Sequence, residues 1–310
     1  MGARISSLKQ VQRALLAWHD AHALQAPWRD SRDPYHALVA AVMAQQTQMS
    51  RVLPSYERFV AAFPTIESLA AASAGDVIRV WAGMGYNQRA VRLHRAARRI
   101  VADGWPRTAA ALTQIDGIGP FTAAIIASFA FAEPAACVDT NVRRVLGRLA
   151  GDESIDGADL QALADESLAA GAPASWNQAV MDYGARVCTS RPKCGECVVA
   201  SWCSIRREAT TLARVADARA AYDAAPRPRA KKHEAPFEGS ARYYRGRIVD
   251  LLRALPPGDA VPLEALPALI ANGNPAPDPA LTADLVTALV AALDRAGLAH
   301  VRAGAVSLPD

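Results

Sequence analysis

Four of the five cysteines in this 310-residue chain fall within sixteen positions, and this cluster limits what its surroundings can fold into. The spacing is C-x5-C-x2-C-x5-C, and the four residues are Cys188, Cys194, Cys197 and Cys203. Four clustered thiolates suit zinc or an iron–sulfur cluster, and their spacing alone does not separate the two. The absence of a second CxxC argues against a zinc ribbon. We expect a loop that binds a metal centre, and we expect Cys137, among apolar neighbours, to be a core residue.

The apolar runs and the first residues of the sequence argue against two protein classes. No run reaches the roughly 18 uncharged residues that a membrane-spanning helix needs. Residues 1–20 lack the apolar region and the small-residue cleavage site of a secretory signal. We therefore expect a soluble cytoplasmic protein, a setting in which clustered thiols bind metal more often than they form disulfides.

Arginine carries almost all of the positive charge. The formal net charge is only +4, but 30 of the 34 basic residues are Arg. A bias of the whole sequence towards Arg and Ala accounts for much of this. Short basic runs remain at 89–99 and 242–247, and guanidinium groups bind phosphate through paired hydrogen bonds. These runs favour a polyanionic partner without establishing one.

The spacing of apolar residues divides the chain into three parts. From residue 8 to about 205 they recur every three or four positions, which predicts helices nearly throughout an all-α core of 1–205. Residues 206–236 become rich in Pro, Ala and Arg and are interpreted as a helical tail and a linker. Residues 237–310 have the pattern of helix, helix and a short strand-like end. We interpret this last part as a small winged-helix-like module.

The segment "LTQIDGIGPFTAAIIASFAF" (112–131) predicts a tight turn between two helices. Gly117 and Gly119 let the backbone turn sharply and approach another surface closely, and Pro120 opens the second helix at its first turn. The N–H groups at the start of that helix can then hold a phosphate. This is the helix-hairpin-helix pattern, although G-x-G between helices is also common in ordinary helix corners.

Asp139 stands directly before a strongly helical run, with Asn141 in its first turn. Aspartate is a preferred N-cap, and capping is the simplest interpretation of this position taken alone. The order of the elements favours a second interpretation, because the hairpin, the Asp-x-Asn unit and the four-cysteine loop follow one another along the chain.

That order, with its local sequences, resembles the helix-hairpin-helix DNA glycosylases of the endonuclease III and adenine DNA glycosylase (MutY) group, the second being the more similar branch. The resemblance covers residues 10–205. The motifs that carry it, besides the cysteine loop, are "PWR" (27–29), "DPYHALVAAVMAQQTQ" (33–48), "WAGMGYNQRAVRLH" (81–94), "GIGPFTAA" (117–124), "VDTNVRRVL" (138–146) and "NQAVMDYGARVC" (177–188).

The resemblance implies two helical domains that flank a cleft: a six-helix part of about 30–135, and a cluster part from 1–29 and 136–205. It implies that the cysteines hold one 4Fe–4S cluster, which fixes a loop against DNA and presents Arg191 and Lys193 to phosphate. That loop, "TSRPK", is one residue shorter than is usual in the family. The expected partner is double-stranded DNA with a damaged or mismatched base, bound by a monomer at the bacterial nucleoid.

The resemblance also assigns roles to individual residues. Asp139 matches the carboxylate that stabilises the oxocarbenium-like sugar when the N-glycosidic bond breaks, and Asn141 matches its polar neighbour. Further residues match family positions that touch DNA or fill the gap left by a flipped base: Gln45, Gln46, Tyr86, Gly117, Gly119 and Thr122. Without the resemblance, the glutamines are a polar helix face and Tyr86 is a packed loop aromatic.

Two positions depart from the family pattern. Ala41 stands where adenine glycosylases carry a Glu that protonates the leaving adenine, and Phe121 stands where relatives carry Lys, Ser or Tyr. A methyl group donates no proton, and phenylalanine offers neither a Schiff-base amine nor a hydroxyl. Lys193 is the only lysine between residues 10 and 205, so lyase chemistry is not expected. Asp116, beside the hairpin, is interpreted as a turn residue, with replacement of the missing acid left open.

Two functions fit these features. The first is a monofunctional DNA glycosylase of base excision repair that keeps Asp139, with its substrate altered where catalytic groups are lost. The second is a non-catalytic protein that binds a lesion or an unusual DNA structure. The Asp-x-Asn unit favours the enzyme. The 237–310 segment is too short and too helical for the larger domain that typically reads the opposite base in bacterial adenine glycosylases.

Overall fold

The computed structural model describes residues 4–213, 237–271 and 281–310. Its helices and strands, in chain order, are α1 (Leu8–His22), α2 (Pro34–Ala44), α3 (Met49–Ala62), α4 (Ile66–Ala71), α5 (Ala74–Val80), α6 (Gln88–Asp103), α7 (Ala109–Leu112), α8 (Pro120–Phe131), α9 (Thr140–Ala150), α10 (Gly157–Ser167), α11 (Pro173–Arg186), α12 (Ser204–Ala213), α13 (Ala241–Ala254), β1 (Val261–Pro262), α14 (Leu266–Ala271), α15 (Ala283–Arg295), β2 (His300–Arg302) and β3 (Ala305–Ser307). In the described ranges, no helix is both long and apolar enough to cross a membrane.

Packing divides the described residues into two compact units. Unit 1 contains residues 4–38, 106–114 and 118–213, and unit 2 contains the remaining described residues. This division places α8, which belongs to the predicted six-helix part, in unit 1. It places the C-terminal module in unit 2. The domain boundaries expected from the sequence stay predictions.

The core of unit 1 is formed mainly by α1, α9 and α11. Apolar residues three and four positions apart give each of these helices one buried face, which includes Leu15, Val145 and Tyr183. The ring of Trp18 meets that of Tyr183 edge to face at 4.9 Å. Cys137 is fully buried beside this core, where burial raises the pKa of its thiol, so its expected place in the core is confirmed.

The helices α3 to α6 of unit 2 pack around a second apolar interior, in which α6 contacts α4 and α5. Phe59 of α3 meets the fully buried Trp81 edge to face at 5.9 Å. Trp81 also donates from its indole N–H to the carbonyl oxygen of Gly85 at 3.1 Å. The interior therefore fixes the loop between α5 and α6, which carries Tyr86.

Residues 237–310 form a helix, a strand, two further helices and a terminal hairpin, within the described parts of that range. The sheet is antiparallel with strand order β1-β3-β2, and Val306 pairs with Val261 on one side and Val301 on the other. The hairpin turns at Ala303 and Gly304, which both have positive φ as a two-residue turn requires. This order of elements is that of a winged helix, and the interpretation of residues 237–310 as a winged-helix-like module stays a prediction.

The module shares its core with the helices that precede it. Ile78 of α5 and Val91 of α6 belong to the same buried cluster as Ile248 and Leu252 of α13. The backbone N–H of Gly75 also donates to the carbonyl oxygen of Pro309 at 2.7 Å. The module is therefore packed into unit 2. The predicted helical tail begins as α12, and residues 214–236 of the predicted tail and linker lie outside the described residues.

Candidate active site and DNA-contact loops

The four clustered thiols follow α11 and lie beside the core of unit 1. Three of them, Cys188, Cys197 and Cys203, are partly buried against that core, and Cys194 is exposed. The hydroxyl of Tyr183 contacts Cys197 Sγ at 3.1 Å, and Arg148 Nη1 contacts Cys188 Sγ at 3.6 Å. Burial raises the pKa of the Cys188 and Cys203 thiols. Sulfur donors in a partly buried, hydrogen-bonded position suit a metal centre.

The arrangement of these thiols bears on the kind of metal centre they suit. Across residues 4–213, 237–271 and 281–310, no three His, Cys, Asp or Glu side chains converge on one metal-ion position. A tetrahedral zinc needs all of its sulfurs within about 2.3 Å of one ion, whereas each cysteine of a 4Fe–4S cluster binds a different iron. Cys203 is nevertheless close enough to the other three thiols to interact with them electrostatically. The donor set suits either centre, and the choice of a 4Fe–4S cluster stays a prediction from the resemblance.

The two candidate phosphate-binding side chains of this loop, Arg191 and Lys193, are both exposed. The backbone N–H of Lys193 donates to the carbonyl oxygen of Val187 at 3.0 Å, and the hydroxyl of Thr189 donates to that of Arg191 at 2.6 Å. Lys193 lines a surface cavity of about 490 Å³ together with Trp18 and Arg186. The loop is held at its backbone while its charged groups face outward.

Asp139 is the N-cap of α9, as the simplest interpretation of the sequence predicted. Its Oδ1 accepts from the backbone N–H groups of Asn141 at 2.8 Å and Val142 at 2.7 Å. Its Oδ2 accepts from the side-chain amide of Asn141 at 2.9 Å. The carboxylate is half-buried and held in one orientation. Capping and a chemical role are compatible, since the cap fixes the group without enclosing it.

Arg144, one turn into α9, connects this carboxylate pair to the cysteine loop. Its Nη2 donates to Asn141 Oδ1 at 2.8 Å, and its Nε donates to the carbonyl oxygen of Cys188 at 2.6 Å. Nη2 also reaches the carbonyl oxygen of Gly184 at 2.6 Å. Burial lowers the pKa of this guanidinium, which nevertheless stays charged. A continuous line of hydrogen bonds thus runs from Asp139 through Asn141 and Arg144 to the backbone of Cys188, the first cysteine of the cluster.

The tight turn before α8 uses its two glycines differently. Gly117 has φ +89°, and a Cβ there would stand 2.8 Å from Cβ of Arg92, so only glycine fits against α6. Gly119 is the N-cap of α8, and a Cβ there would meet nothing within 4 Å. The start of α8 is therefore open on the side of Gly119. Asp116 is an exposed residue of this turn, as expected.

The side chains that follow Pro120 in the first turn of α8 are less accessible than expected. Thr122, predicted to contact DNA, is only 1% exposed, which argues against contact through its hydroxyl. The reason is that α8 is apolar on every face, so its second residue after Pro120 already enters the interior. Phe121 is half-buried at the position where relatives carry Lys, Ser or Tyr.

Arg89 joins the two loops of unit 2 that carry the candidate wedges. It is 6% exposed, and its guanidinium donates to one hydroxyl and five backbone carbonyls: Val42 O, Met43 O, Gln45 O, Thr47 Oγ1, Met84 O and Gly85 O. The carbonyls of Val42 and Met43 belong to the last turn of α2, where a cation is favoured. Burial lowers the pKa of this guanidinium. The loops after α2 and before α6 are thus held by one charged group.

The candidate wedges lie on these two loops. α2 ends at Ala44, so Gln45 and Gln46 occupy a turn and not the predicted helix face. Gln46 has φ +52° and Tyr86 has φ +44°, a region that non-glycine residues seldom adopt. Tyr86 is 50% exposed, so it is not a packed loop aromatic. Strained backbone under exposed polar and aromatic side chains is typical of sites that bind ligands.

Sequence reasoning missed two residues of these sites. Arg89 was taken as part of a basic run that favours a polyanionic partner, yet it lies four and seven residues before the buried Leu93 and Ala96, on the apolar face of α6. That spacing was a usable signal. The sequence contains no comparable signal for Arg144, because its partners Cys188 and Gly184 lie 44 and 40 positions further along the chain.

Several known proteins are similar to this chain over much of its length. A family model described as the HhH-GPD superfamily base excision DNA repair protein matches residues 39–168. Adenine DNA glycosylase from Mycobacterium tuberculosis is 36% identical over 253 residues, which cover 77% of this chain and 77% of that enzyme. The chain belongs to the HhH-GPD superfamily of base excision DNA repair proteins. The helix-hairpin-helix resemblance expected from the sequence is therefore confirmed.

Other HhH-GPD relatives are longer than this chain. Human adenine DNA glycosylase is 36% identical over 221 residues, which cover 66% of this chain but only 40% of the human enzyme. Among solved structures, a thermostable thymine-DNA glycosylase is 28% identical with a TM-score of 0.61, covering 65% of this chain and 97% of that one. An endonuclease III–DNA complex, 20% identical with a TM-score of 0.56 over 66% of this chain and 99% of its own, shares the fold.

These likenesses confirm the predicted HhH-GPD fold class, which is mainly helical. The family match includes the turn at Gly117 and the Asp139–Asn141 pair, whereas the cysteine loop lies beyond residue 168. The individual roles of the site residues remain predictions.

Proposed function

We propose that this chain is a DNA glycosylase of base excision repair, which hydrolyses the N-glycosidic bond of a base flipped out of duplex DNA. The observation that carries the proposal is the half-buried Asp139 carboxylate, held by Asn141 and connected through Arg144 to the cysteine loop. The names of the curated relatives, adenine DNA glycosylases, support the same reaction.

In this reaction the bond between C1′ and the base nitrogen breaks, water adds to C1′, and the base leaves with a proton. Positive charge develops on the sugar as the bond breaks, and a fixed carboxylate nearby stabilises it. Asp139 supplies that group. Its hydrogen bonds to α9 and to Asn141 keep it oriented, so little reorganisation is required when the charge appears.

The target base must leave the stack before it reacts, and other side chains then occupy the gap. Gln45, Gln46 and Tyr86 are assigned this role. They lie on the two loops that Arg89 joins, and the strained backbone at Gln46 and Tyr86 projects side chains from rigid supports. The turn of Gly117 and Gly119, with the exposed Arg191 and Lys193, is assigned to phosphate binding.

We propose that the enzyme is monofunctional. A lyase step needs an amine that forms a Schiff base with C1′ after the base has left. Phe121 offers no such group, and Lys193, the only lysine between residues 10 and 205, is in the cysteine loop. Cleavage of the DNA strand is therefore expected only when alkali is added after base removal.

The base that is removed depends on the missing acid. Ala41 is 6% exposed in α2 and donates no proton to a leaving adenine. A positioned general acid contributes about 10²- to 10⁴-fold to the rate, so a base that leaves more readily is favoured over unmodified adenine. Adenine opposite 8-oxoguanine is still the first substrate to test, since the curated relatives are named for adenine.

We propose that Cys188, Cys194, Cys197 and Cys203 bind one 4Fe–4S cluster. The donor chemistry supports this: four sulfurs, three of them partly buried, with Tyr183 and Arg148 contacting two of them. The cluster would fix the loop that carries Arg191 and Lys193, a role that requires no change of redox state. Iron and sulfide in equal amounts in the purified protein are the expected result, and stoichiometric zinc would contradict it.

A panel of duplexes tests the function directly. Each duplex carries one lesion or mismatch, including adenine opposite 8-oxoguanine, and strand breaks are counted before and after treatment with alkali. Breaks on one duplex only after alkali are expected. Breaks before alkali would contradict the monofunctional assignment. Tight binding with no breaks on any duplex would instead support the second candidate, a non-catalytic lesion-binding protein, which the loss of groups at Ala41 and Phe121 favours.

A further inference from the structure

Two exposed aromatic rings of unit 2 lie close to one guanidinium. Phe237 is 54% exposed and Tyr86 is 50% exposed, and they are two of the four large hydrophobic residues exposed in the described parts of the chain. The guanidinium carbon of Arg242 lies 5.0 Å from the centre of the Phe237 ring and 5.8 Å from that of Tyr86. We call Tyr86, Phe237 and Arg242 the aromatic–arginine cluster.

The start of α13 is the basic part of the C-terminal module. Arg242 and Arg245 are both exposed there, whereas Ile248 and Leu252 of the same helix are buried. Ser240 caps the helix by accepting from the backbone N–H of Tyr243 at 3.2 Å. This end of the helix therefore combines two exposed positive charges with the positive end of the helix dipole.

The third helix of the module has a different surface. In helix-turn-helix proteins a helix in this position enters the major groove and contacts base edges. The exposed residues at the start of α15 are Ala283, Asp284, Thr287 and Ala288, and its first basic residue is Arg295 in the last turn. An acidic and neutral helix start is poorly suited to DNA, so the basic surface of the module is at α13.

Hydrogen bonds hold the C-terminal module next to Tyr86. The guanidinium of Arg253 donates from Nε to the carbonyl oxygen of Ile78 at 2.9 Å and from Nη2 to Oδ1 of Asn87 at 2.8 Å. Asn87 directly follows Tyr86. Gln88 also donates from its side chain to the carbonyl oxygen of Ala296 at 3.0 Å. These contacts fix the position of Arg242 relative to the ring of Tyr86.

We propose that the aromatic–arginine cluster is a DNA-contact surface, at which the C-terminal module binds the duplex beside the point where Tyr86 enters it. Arg242 would bind a backbone phosphate, and the ring of Phe237 offers a face on which a displaced base stacks. The inference rests on the proposed function for its partner, DNA, but not on excision of a base. It assigns DNA binding in this module to the start of α13 and not to its third helix, α15.

Binding to a duplex that contains a tetrahydrofuran abasic analogue tests the inference without any catalytic step. Arg242→Ala is expected to weaken binding by about tenfold at low salt and to reduce the slope of log Kd against log salt by about one, as expected for loss of one phosphate contact. Arg242→Lys keeps the charge and should keep the slope. Arg295→Ala, an exposed arginine of the same module, is the matched control and should stay within twofold of the wild type.

Thermal melting of each variant checks that folding is retained. A Kd of Arg242→Ala within twofold of the wild type together with an unchanged salt slope, in a protein that folds, would overturn the inference. If the wild type excises no base on any duplex but Arg242→Ala still loses binding, the proposed function fails while the inference stands. The two failures are therefore distinguishable.

Discussion

Arg144 donates a hydrogen bond of 2.8 Å to the side-chain oxygen of Asn141, and this contact determines how the Asn141 amide is turned. Because the side-chain oxygen of Asn141 accepts from Arg144, its amide nitrogen points to Asp139 and donates to Oδ2 at 2.9 Å. The same guanidinium binds the carbonyl oxygen of Cys188. The orientation of the candidate catalytic carboxylate thus depends on the position of the cysteine loop.

Replacing Arg144 tests this dependence. Arg144→Gln removes the charged donor shared by Asn141, Cys188 and Gly184, and hydrogen bonds to charged groups are worth about 1.5–3 kcal/mol each. We expect the single-turnover rate of base excision to fall by at least about tenfold, which corresponds to 1.4 kcal/mol. The rate is measured with enzyme in excess over a duplex of the substrate identified in the panel.

Arg143→Gln, at the neighbouring arginine of α9, is the control, because the side chain of Arg143 donates to the carbonyl oxygen of Ile155, and only its backbone N–H, which the substitution keeps, bonds to Asp139. An excision rate for Arg144→Gln equal to that of this control would show that the carboxylate is oriented without Arg144.

Arg89→Met should destabilise unit 2. The substitution removes the charged donor shared by five backbone carbonyls, of which only those of Gln45 and Gly85 keep a side-chain donor, from Thr47 and Trp81, among the bonds described. We expect the free energy of unfolding to fall by about 3–5 kcal/mol. Denaturant unfolding measures the change. Arg98→Ala, an exposed position of the same helix, should change it by less than about 0.5 kcal/mol. Equal effects of the two substitutions would contradict the role assigned to Arg89.

Gly184→Ala probes the contact between α11 and the start of α9. A Cβ at position 184 would stand 2.7 Å from Cβ of Asn141 and 3.0 Å from its carbonyl oxygen, so the helices must separate. Overpacking of this kind costs about 1–3 kcal/mol, and we expect the excision rate to fall with the stability.

Gly246→Ala is the matched control for this substitution, because a Cβ at position 246, within α13, meets nothing within 4 Å. It should stabilise the protein by about 0.5–1 kcal/mol through better helix propensity. A Gly184→Ala protein that is as stable and as active as the wild type would refute the close approach.

Ala41→Glu restores the acid that the family pattern places in α2. If adenine is the substrate, we expect the excision rate to rise by about 100-fold. The rate should then fall as the pH rises through the pKa of the new carboxyl, because only its protonated form donates. Ala41→Gln matches the size without the acid and should show no gain. The same increase in both variants would mean that the acid is not the missing element.

The sequence was most informative where neighbouring residues determine the structure. The cap at Asp139, the tight turn at Gly117 and the burial of Cys137 all follow from residues within one turn of the position concerned. The burial of the Thr122 side chain was not foreseen, because a motif position was given more weight than the apolar surroundings of α8.

Contacts between distant parts of the chain were beyond sequence reasoning. The module docks through Arg253 and Ile78, which are 175 positions apart, and the bidentate pair of Arg29 and Asp182 spans 153 positions. Such pairs are determined by how whole helices pack, and a single sequence contains no local signal for them. The sequence indicated the basic run 242–247 of α13, but the structure was needed to show that Arg242 and Arg245 are exposed there while the start of α15 carries no positive charge.

The measurement that tests the central claim most directly is the single-turnover excision rate of Asp139→Asn. Asparagine is as good an N-cap as aspartate, so the start of α9 should persist while the negative charge is lost. We predict that this variant binds the abasic-analogue duplex as the wild type does, keeps its unfolding free energy, and loses at least about 10³-fold in rate. An excision rate within threefold of the wild type would contradict the assignment of Asp139 as the catalytic carboxylate.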